Sequence, residues 1–456
     1  MTAFLWSTNR AMDTAAHMPR SQFVIEGGQP ISGTLRARGN KNAALPLIAA
    51  ALLTDEEVTL RNVPRIRDVE AQMGLLRQLG AEVAFAGGDT VRVRAAGLGD
   101  DDPDPDLCRA IRASILLAGP LLARRGRVNM PAPGGDVIGR RRLDTHLLAL
   151  EGLGAGIELL PAGGLQCRVE GSGERLRGAE IFLDEASVTA TENAVMAASL
   201  AEGETRILNA ASEPHVQDLC RLLQAMGVPI EGVGTNLLVV QGVERLGGAE
   251  FEIGPDYIEV GSLITLAAVT GGELRIPNAR PREHRATRIA FGRLGIDFEV
   301  RGDGSDLFVP GGQELQVRTD LQGAIPKIED APWPGFPADL TSIAVVGATQ
   351  SRGSVLIHEK LFESRMFFVD RLVAMGAQIV LCDPHRVVVS GPSKLYGRDM
   401  VSPDIRAGMA MLIAALCAEG RSVIDNVQQI DRGYERIDER LRSLGVSIER
   451  VAGSLG

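Results

Sequence analysis

Aromatic residues are scarce in this sequence. Phe, Trp and Tyr make up 4% of its 456 residues, so any core must be built from Ala, Val, Leu and Ile. Cysteine is sparse too: Cys108, Cys167, Cys220, Cys382 and Cys417 are scattered, odd in number and without C-x-x-C spacing. That pattern argues against a disulfide framework or a zinc site and predicts mostly buried thiols in a reducing, cytoplasmic compartment. No stretch reaches the roughly 18 apolar residues that a membrane helix needs, so no membrane partner is expected. The first 17 residues contain Arg10 and Asp13, lack a continuous apolar run and do not read as a signal peptide. Residues 1–18 are expected to form a disordered tail. Positive charge is also short. The formal net charge of −10 argues against nucleic-acid binding, although local arginines can still dominate a cleft in an acidic protein. Walker, G-x-G-x-x-G, H-E-x-x-H and G-x-S-x-G motifs are missing, and the six histidines stand apart. Neither a metal nor a nicotinamide cofactor is expected.

What is present is length, apolar content and repetition. The length suits two to three domains, and 45% apolar residues suffice for sizeable cores. A helical end followed by Leu or Met, Gly and a small apolar residue recurs six times. Its glycines are Gly80, Gly154, Gly227, Gly295, Gly376 and Gly445, spaced by 74, 73, 68, 81 and 69 residues. Each copy reads as an amphipathic helix closed by a left-handed glycine, with a strand leaving at once. Units of about 70 residues, each roughly two helices and several strands, predict an α/β protein of two domains with three units apiece. Such a spacing is too long for an ordinary solenoid.

Four places depart from the scaffold pattern. In Arg38-Gly39-Asn40-Lys41-Asn42-Ala43-Ala44-Leu45-Pro46 a polar cap opens an Ala-rich helix. A lysine beside unpaired helix N–H groups suits an anion, though an Asn cap with a solvated lysine gives the same local pattern. Arg109 and Arg112 are expected on one helical face, or at a solvated helix start. The loop Pro131–Arg142 combines prolines, Gly134, Gly135 and Gly139 with Asp136, Arg140, Arg141 and Arg142, and Asp144 and His146 follow it. Hinge glycines with clustered charge suit a lid closing on a doubly anionic small substrate; a charged surface loop is the alternative. The fourth place gathers Pro334–Asp339, Phe362–Arg365, Asp404–Arg406 and Asp431–Arg436, where Asp–Arg pairs are equally compatible with structural ion pairs.

Together, Gly39–Pro46, the lid Gly134-Gly135-Asp136-x-Ile138-Gly139-x-Arg141 and Asp431-Arg432-Gly433-Tyr434-Glu435-Arg436 resemble the UDP-N-acetylglucosamine enolpyruvyltransferase (MurA) family, in its order and near its spacing, from about residue 19 to 452. The resemblance implies two inside-out α/β barrels of three units each. Residues 19–40 would join 255–456 in one domain, and 41–254 would form the other, carrying the lid loop 130–146. It implies enolpyruvyl transfer from phosphoenolpyruvate to the 3′-hydroxyl of UDP-N-acetylglucosamine with phosphate release, the first committed step of peptidoglycan synthesis. Addition–elimination of this kind needs a general acid, a general base and anion clamps. By motif matching, Lys41 would contact phosphoenolpyruvate with Asn42 beside it. Arg141, Arg365 and Arg432 would clamp its anionic groups, and Arg112 would line the same region. Asp339 would take the sugar proton. Arg141, Arg142, Leu143, Asp144 and Thr145 would cradle the uridine with Ser187, Val188 and Leu361. Asp404 and Arg406 would hold the site together.

Three positions depart from the family pattern. Asp136 stands where a cysteine is usual, Glu185 where some members carry lysine, and Tyr257 where arginine is frequent. With Asp136 as acid, the proton is expected to be held mainly when the substrate is bound and the lid is shut. Nothing in the sequence speaks to oligomeric state.

Overall fold

A computed structural model describes residues 21–135, 142–160, 163–171 and 175–452, and all six repeat glycines fall within it at positive φ, from 78° at Gly295 to 110° at Gly376. Each ends a short helix and releases a strand, as at Arg67–Gln78 before Glu82–Phe85 and Val369–Ala374 before Gln378–Asp383. A side chain at these glycines would be strained by the left-handed backbone. The tail 1–18 and the lid residues 136–141 lie outside the described residues.

Six sheets follow from the six units. Five are four-stranded and share one plan, a parallel pair at one edge followed by two antiparallel pairs; the described part of the sixth has three strands. Alternation of side chains gives one buried face, as in Val91–Arg94, where Val91 and Val93 are buried and Arg92 and Arg94 exposed. The helices Lys41–Ala50 and Val188–Ala198 are enclosed on nearly every side, and so are Tyr257–Val269, Thr341–Gln350 and Ile405–Cys417. Such helices are mostly Ala, Leu, Ile and Val, and buried polar residues on them, such as Lys41, Asn193 and Arg406, have partners. The fold is thus inside out: helices fill the centres and sheets form the walls.

Among the described residues there are two apolar cores. One draws on Ala43–Ile253; the other joins Phe23–Ala37 to Tyr257–Ile448. The chain start is woven into the second. Ser21–Glu26 lies between Arg421–Asp425 and Ser447–Ala452, antiparallel to both, while Ser32–Thr34 runs parallel to Glu273–Ile276. The two passages between cores run side by side: Asn40 N–H donates to Gly254 O at 2.8 Å and Asp256 N–H to Arg38 O at 2.7 Å. All five thiols are free. Cys108, Cys167 and Cys220 are buried and Cys417 is half-buried, but Cys382 is exposed because it sits at a bulge in an edge strand. Among the described residues no helix is long and apolar enough to cross a membrane.

Candidate active site

The cleft between the cores is organised by two clusters of buried charge. The first begins at Asn40, whose side chain caps the helix Lys41–Ala50 by accepting from Asn42 N–H at 2.8 Å. The cap places Lys41 as the first helical residue, where its ammonium is buried, not solvated. Lys41 Nζ meets Asp68 Oδ2 at 2.6 Å, and Asp68 Oδ1 accepts from Arg432 Nε at 3.0 Å. One carboxylate therefore joins cations from both cores. Burial pulls the Lys41 pKa down and Asp68 opposes this, while Arg432 and Arg406 add to the depression. Burial would raise the Asp68 carboxyl, but Lys41 and Arg432 outweigh it and hold the group ionised.

The second cluster is centred on Asp339, in the turn Ala338–Leu340 that leads into the helix Thr341–Gln350. Its Oδ1 accepts from Arg365 Nη2 at 2.6 Å, and its Oδ2 lies 2.8 Å from Arg406 Nη2. Arg406 also donates to the buried Tyr434 hydroxyl at 3.2 Å. Burial works to raise the Asp339 pKa, yet Arg406 and then Arg365 drive it far below the carboxylate range. The Asp339 side chain remains 23% exposed against 8% for Arg406 and 11% for Arg365, so the carboxylate is the more open member of its cluster. Asp404 caps the helix Ile405–Cys417, accepting from Arg406 N–H at 2.8 Å and Ala407 N–H at 3.0 Å.

A third, more open group forms the far wall. Arg142 lies 2.9 Å from Asp184 and 3.2 Å from Asp144, and the Thr145 hydroxyl donates to Asp184 at 2.7 Å. Arg112 reaches the Arg142 carbonyl at 3.4 Å. Behind them His146 is buried; Asn193 Nδ2 lies 2.9 Å from its Nδ1 and Thr189 Oγ1 3.0 Å from its Nε2. Burial, then Arg112, lowers the His146 pKa to about 3, so the ring is neutral and its Nδ1 accepts from Asn193.

The structure thus brings Lys41, Arg432, Asp339, Arg365 and Arg406 together, and groups Arg112, Arg142, Asp144 and Thr145. Asn42 is half-buried beside Lys41. Leu143 precedes the helix Asp144–Gly152, and Ser187 and Val188 open the helix Val188–Ala198, which carries Thr189 and Asn193. Leu361 is exposed, and its N–H is held by Asp330 at 3.1 Å. Asp136 and Arg141 lie outside the described residues.

One expectation is corrected. Arg109 and Arg112 do not share a helical face, because the helix Pro105–Ala110 stops and Ile111 is extended (φ −138°, ψ 143°) before a 3-10 turn begins at Arg112. The Ser114 hydroxyl bonds the Cys108 and Ile111 carbonyls at that break, and Arg109 pairs outward with Asp106. The adjoining strand end is packed tightly there. A Cβ on Gly134 would lie 1.7 Å from Arg109 O, and one on Gly135 2.7 Å from Arg112 Cβ.

Sequence reasoning missed Asp68 and Asp184, and it quoted Tyr434 within a motif without giving it a role. Asp68 reads locally as an ordinary first-turn acid, and only the fold reveals what it bridges.

Comparison with known proteins adds the following. The family model for EPSP synthase (3-phosphoshikimate 1-carboxyvinyltransferase) matches residues 25–441. The chain is 58% identical over 430 residues to UDP-N-acetylglucosamine 1-carboxyvinyltransferase of Bradyrhizobium diazoefficiens, spanning 94% of this chain and 98% of that protein. It is 57% identical over 428 residues to the enzyme of that name from Treponema denticola, spanning 94% and 99%. The crystal structure of the enolpyruvyl transferase NikO from Streptomyces tendae superimposes with a TM-score of 0.83 at 24% identity, covering 96% of this chain and 100% of that one. At that identity the last likeness bears on the fold alone.

Proposed function

The chain belongs to the UDP-N-acetylglucosamine 1-carboxyvinyltransferase family, and from that membership we propose how its residues divide the reaction among them. The enzyme transfers the enolpyruvyl group of phosphoenolpyruvate to UDP-N-acetylglucosamine in peptidoglycan synthesis. The family model bears the name of the shikimate enzyme, but near-full-length identity of 58% to the UDP-sugar enzyme decides between the two acceptors.

Lys41 and Arg432, tied through Asp68, receive the phosphate and carboxylate of phosphoenolpyruvate, and Arg112, Arg141 and Arg365 complete the clamp. The observation that carries this reading is the convergence of Lys41 and Arg432 on Asp68 and of Arg365 and Arg406 on Asp339. A cluster so rich in cations suits a substrate that carries both a phosphate and a carboxylate. Lys41 spends one of its three N–H donors on Asp68, so donors remain for a ligand.

Asp339 takes the proton of the sugar 3′-hydroxyl as that oxygen attacks C2 of the enol phosphate and C3 is protonated. With two arginines on it, Asp339 is a weak base. It strengthens when Arg365 turns to the substrate anion and leaves Arg406 alone in place. The tetrahedral adduct then loses phosphate from C2 and a proton from C3. Arg142, Leu143, Asp144, Thr145, Ser187, Val188 and Leu361 border the nucleotide, and Asp404 with Arg406 holds the cleft together. The two parts 41–254 and 19–40 with 255–456 hinge at the paired linkers, and the reaction takes place in the cytoplasm.

In this assignment Asp136 delivers the C3 proton that a cysteine handles in most of the family. A carboxyl near its reference pKa of about 3.9 is ionised at neutral pH, so it is charged with a proton mainly when the bound trianion raises its pKa. Lacking a lid thiolate, the enzyme forms no covalent adduct with the epoxide fosfomycin, whereas Asp136→Cys acquires one. Mass spectrometry reads both results, and an adduct on any lid residue of the parent refutes the assignment. Phosphate release that requires both phosphoenolpyruvate and UDP-N-acetylglucosamine, and does not occur with shikimate 3-phosphate, tests the reaction itself.

A further inference from the structure

Glu359 follows the strand Gly353–His358 and is fully buried. Neither of its carboxyl oxygens has a hydrogen-bond partner among the described residues, and the same holds for two other buried atoms, Thr341 Oγ1 and Arg365 Nε. These groups are neighbours. Arg365, Asp330 and Thr341 all act on the Glu359 carboxyl, although none meets hydrogen-bond geometry with it. A carboxyl facing a guanidinium N–H and a hydroxyl is a matched set of acceptor and donors. Leaving such groups buried and unpaired is costly, so a small displacement that pairs them is favoured.

The surroundings determine which group moves. Glu359 is fixed by its backbone: its N–H donates to His385 O at 2.8 Å, and its carbonyl lies 2.8 Å from His385 Nδ1. The buried Asp330 secures the next two residues, accepting from Lys360 N–H at 2.5 Å and Leu361 N–H at 3.1 Å. Thr341 begins a buried helix. Arg365 is the long side chain of the set, held at its far end by Asp339 and lying over the Phe362 ring at 4.6 Å.

We propose that Glu359 is a positioning residue for Arg365, taking its Nε–H and the Thr341 hydroxyl when the guanidinium turns from Asp339 to the substrate anion. The inference rests on the reading of Arg365 as a phosphoenolpyruvate clamp. It supplies what that reading needs, a fixed point that keeps Arg365 in register while Asp339 is released to act as base. Burial raises the Glu359 pKa to about 8, with Arg365 opposing and Asp330 reinforcing the rise. Arg365 and Asp330 are the charged groups facing it; Asp339, Asp404 and Arg406 act on the far side, through Arg365. Below pH 8 Glu359 is neutral and accepts without competing for the charge of Arg365. Above pH 8 it ionises and sets a negative charge beside the anion site.

Two variants of similar size test this. Glu359→Leu removes the acceptor and is expected to raise KM for phosphoenolpyruvate about tenfold, with KM for UDP-N-acetylglucosamine within about twofold of the parent. Glu359→Gln keeps an acceptor that cannot ionise. It is expected to match the parent KM at pH 7 and to lack the parent's rise in KM for phosphoenolpyruvate above pH 8. If Glu359→Leu changes only Tm, or moves both KM values alike, the inference is overturned; so it is if Glu359→Gln retains the parent's alkaline rise. An Arg365→Ala enzyme with unchanged KM for phosphoenolpyruvate would instead overturn the reading of Arg365 beneath it.

Discussion

Two carboxylates in this cleft each bind arginine, and their settings make them different instruments. Asp339 is gripped by Arg365 and Arg406, whose side chains are 11% and 8% exposed, on the walls of the second core. Asp184 holds Arg142, and the two side chains are 36% and 37% exposed at the rim of the first. Water screens the rim pair, so it serves to orient a backbone segment and little more. At Asp339 the charges have few alternatives to one another, and a new anion must displace one of them. That difference assigns chemistry to one region and adjustable recognition to the other.

The largest effect tests the enclosed pair. Asp339→Asn is expected to lower kcat by roughly 10²–10⁴, the usual range for loss of a general base, with phosphoenolpyruvate still bound because Arg365 and Arg406 lose their internal competitor. A phosphate-release assay yielding kcat within tenfold of the parent would move the base elsewhere. Next comes Asp68→Asn. Removing one partner of a buried ion pair costs on the order of 3–5 kcal/mol, so a clear drop in Tm is expected. Lys41 also loses the charge that opposes its burial, so the alkaline limb of phosphoenolpyruvate binding moves to lower pH. Calorimetric titration across pH checks this, and an unshifted limb removes Asp68 from the account.

Acid sharpens the comparison further. His146, His215 and His284 have pKa values lowered by burial to about 3, 4 and 4 from 6.5. The unfolded chain takes up these protons below 6.5 while the folded chain refuses them, so the contribution of these rings to stability falls as pH drops from 6.5 toward 4. The Asp339 contribution runs lower: its folded pKa is depressed, so its stabilisation is complete above the unfolded carboxyl value and fades only in stronger acid. Glu359, Glu283 and Asp256, raised by burial to about 8, 7 and 6, act with the opposite sign over the same interval, so the contribution of the rings is read as the difference in urea midpoint between the parent and a His146→Gln, His215→Gln, His284→Gln enzyme at pH 7, 5.5 and 4.5, a difference expected to narrow as pH falls. A difference that stays constant over that interval contradicts the burial of these rings. The smallest effect belongs to the rim. Asp184→Asn is expected to raise KM for UDP-N-acetylglucosamine about two- to fivefold, less in high salt, and to leave kcat unchanged.

How legible the molecule was depended on the range of the interactions concerned. The six helix ends could be read because a left-handed glycine acts within a few residues, and the structure places all six at positive φ. The Asn40 cap was equally local. Asp68 was illegible because its partners Lys41 and Arg432 lie 27 and 364 residues away, and nothing in the turn around it distinguishes a bridge from a first-turn acid. The Arg109–Arg112 face misled because i,i+3 spacing is informative only where the helix continues, and Ile111 interrupts it. Arg365, Arg406 and Asp339 came from motif resemblance; spacing alone could not have separated them from surface ion pairs.

The strand Ser21–Glu26 carries a consequence for biogenesis. It is synthesised well before its two neighbours, for it is hydrogen-bonded between Arg421–Asp425 and Ser447–Ala452, which follow it by about 400 residues. At about 5–20 residues per second, that edge waits tens of seconds for its neighbours. The core drawn on Ala43–Ile253 has all its residues long before then and can condense behind the ribosome. Assembly is therefore nested: the inner half closes first, and the outer half, with Asp339 and its arginines, is completed only once Ser447–Ala452 has been made.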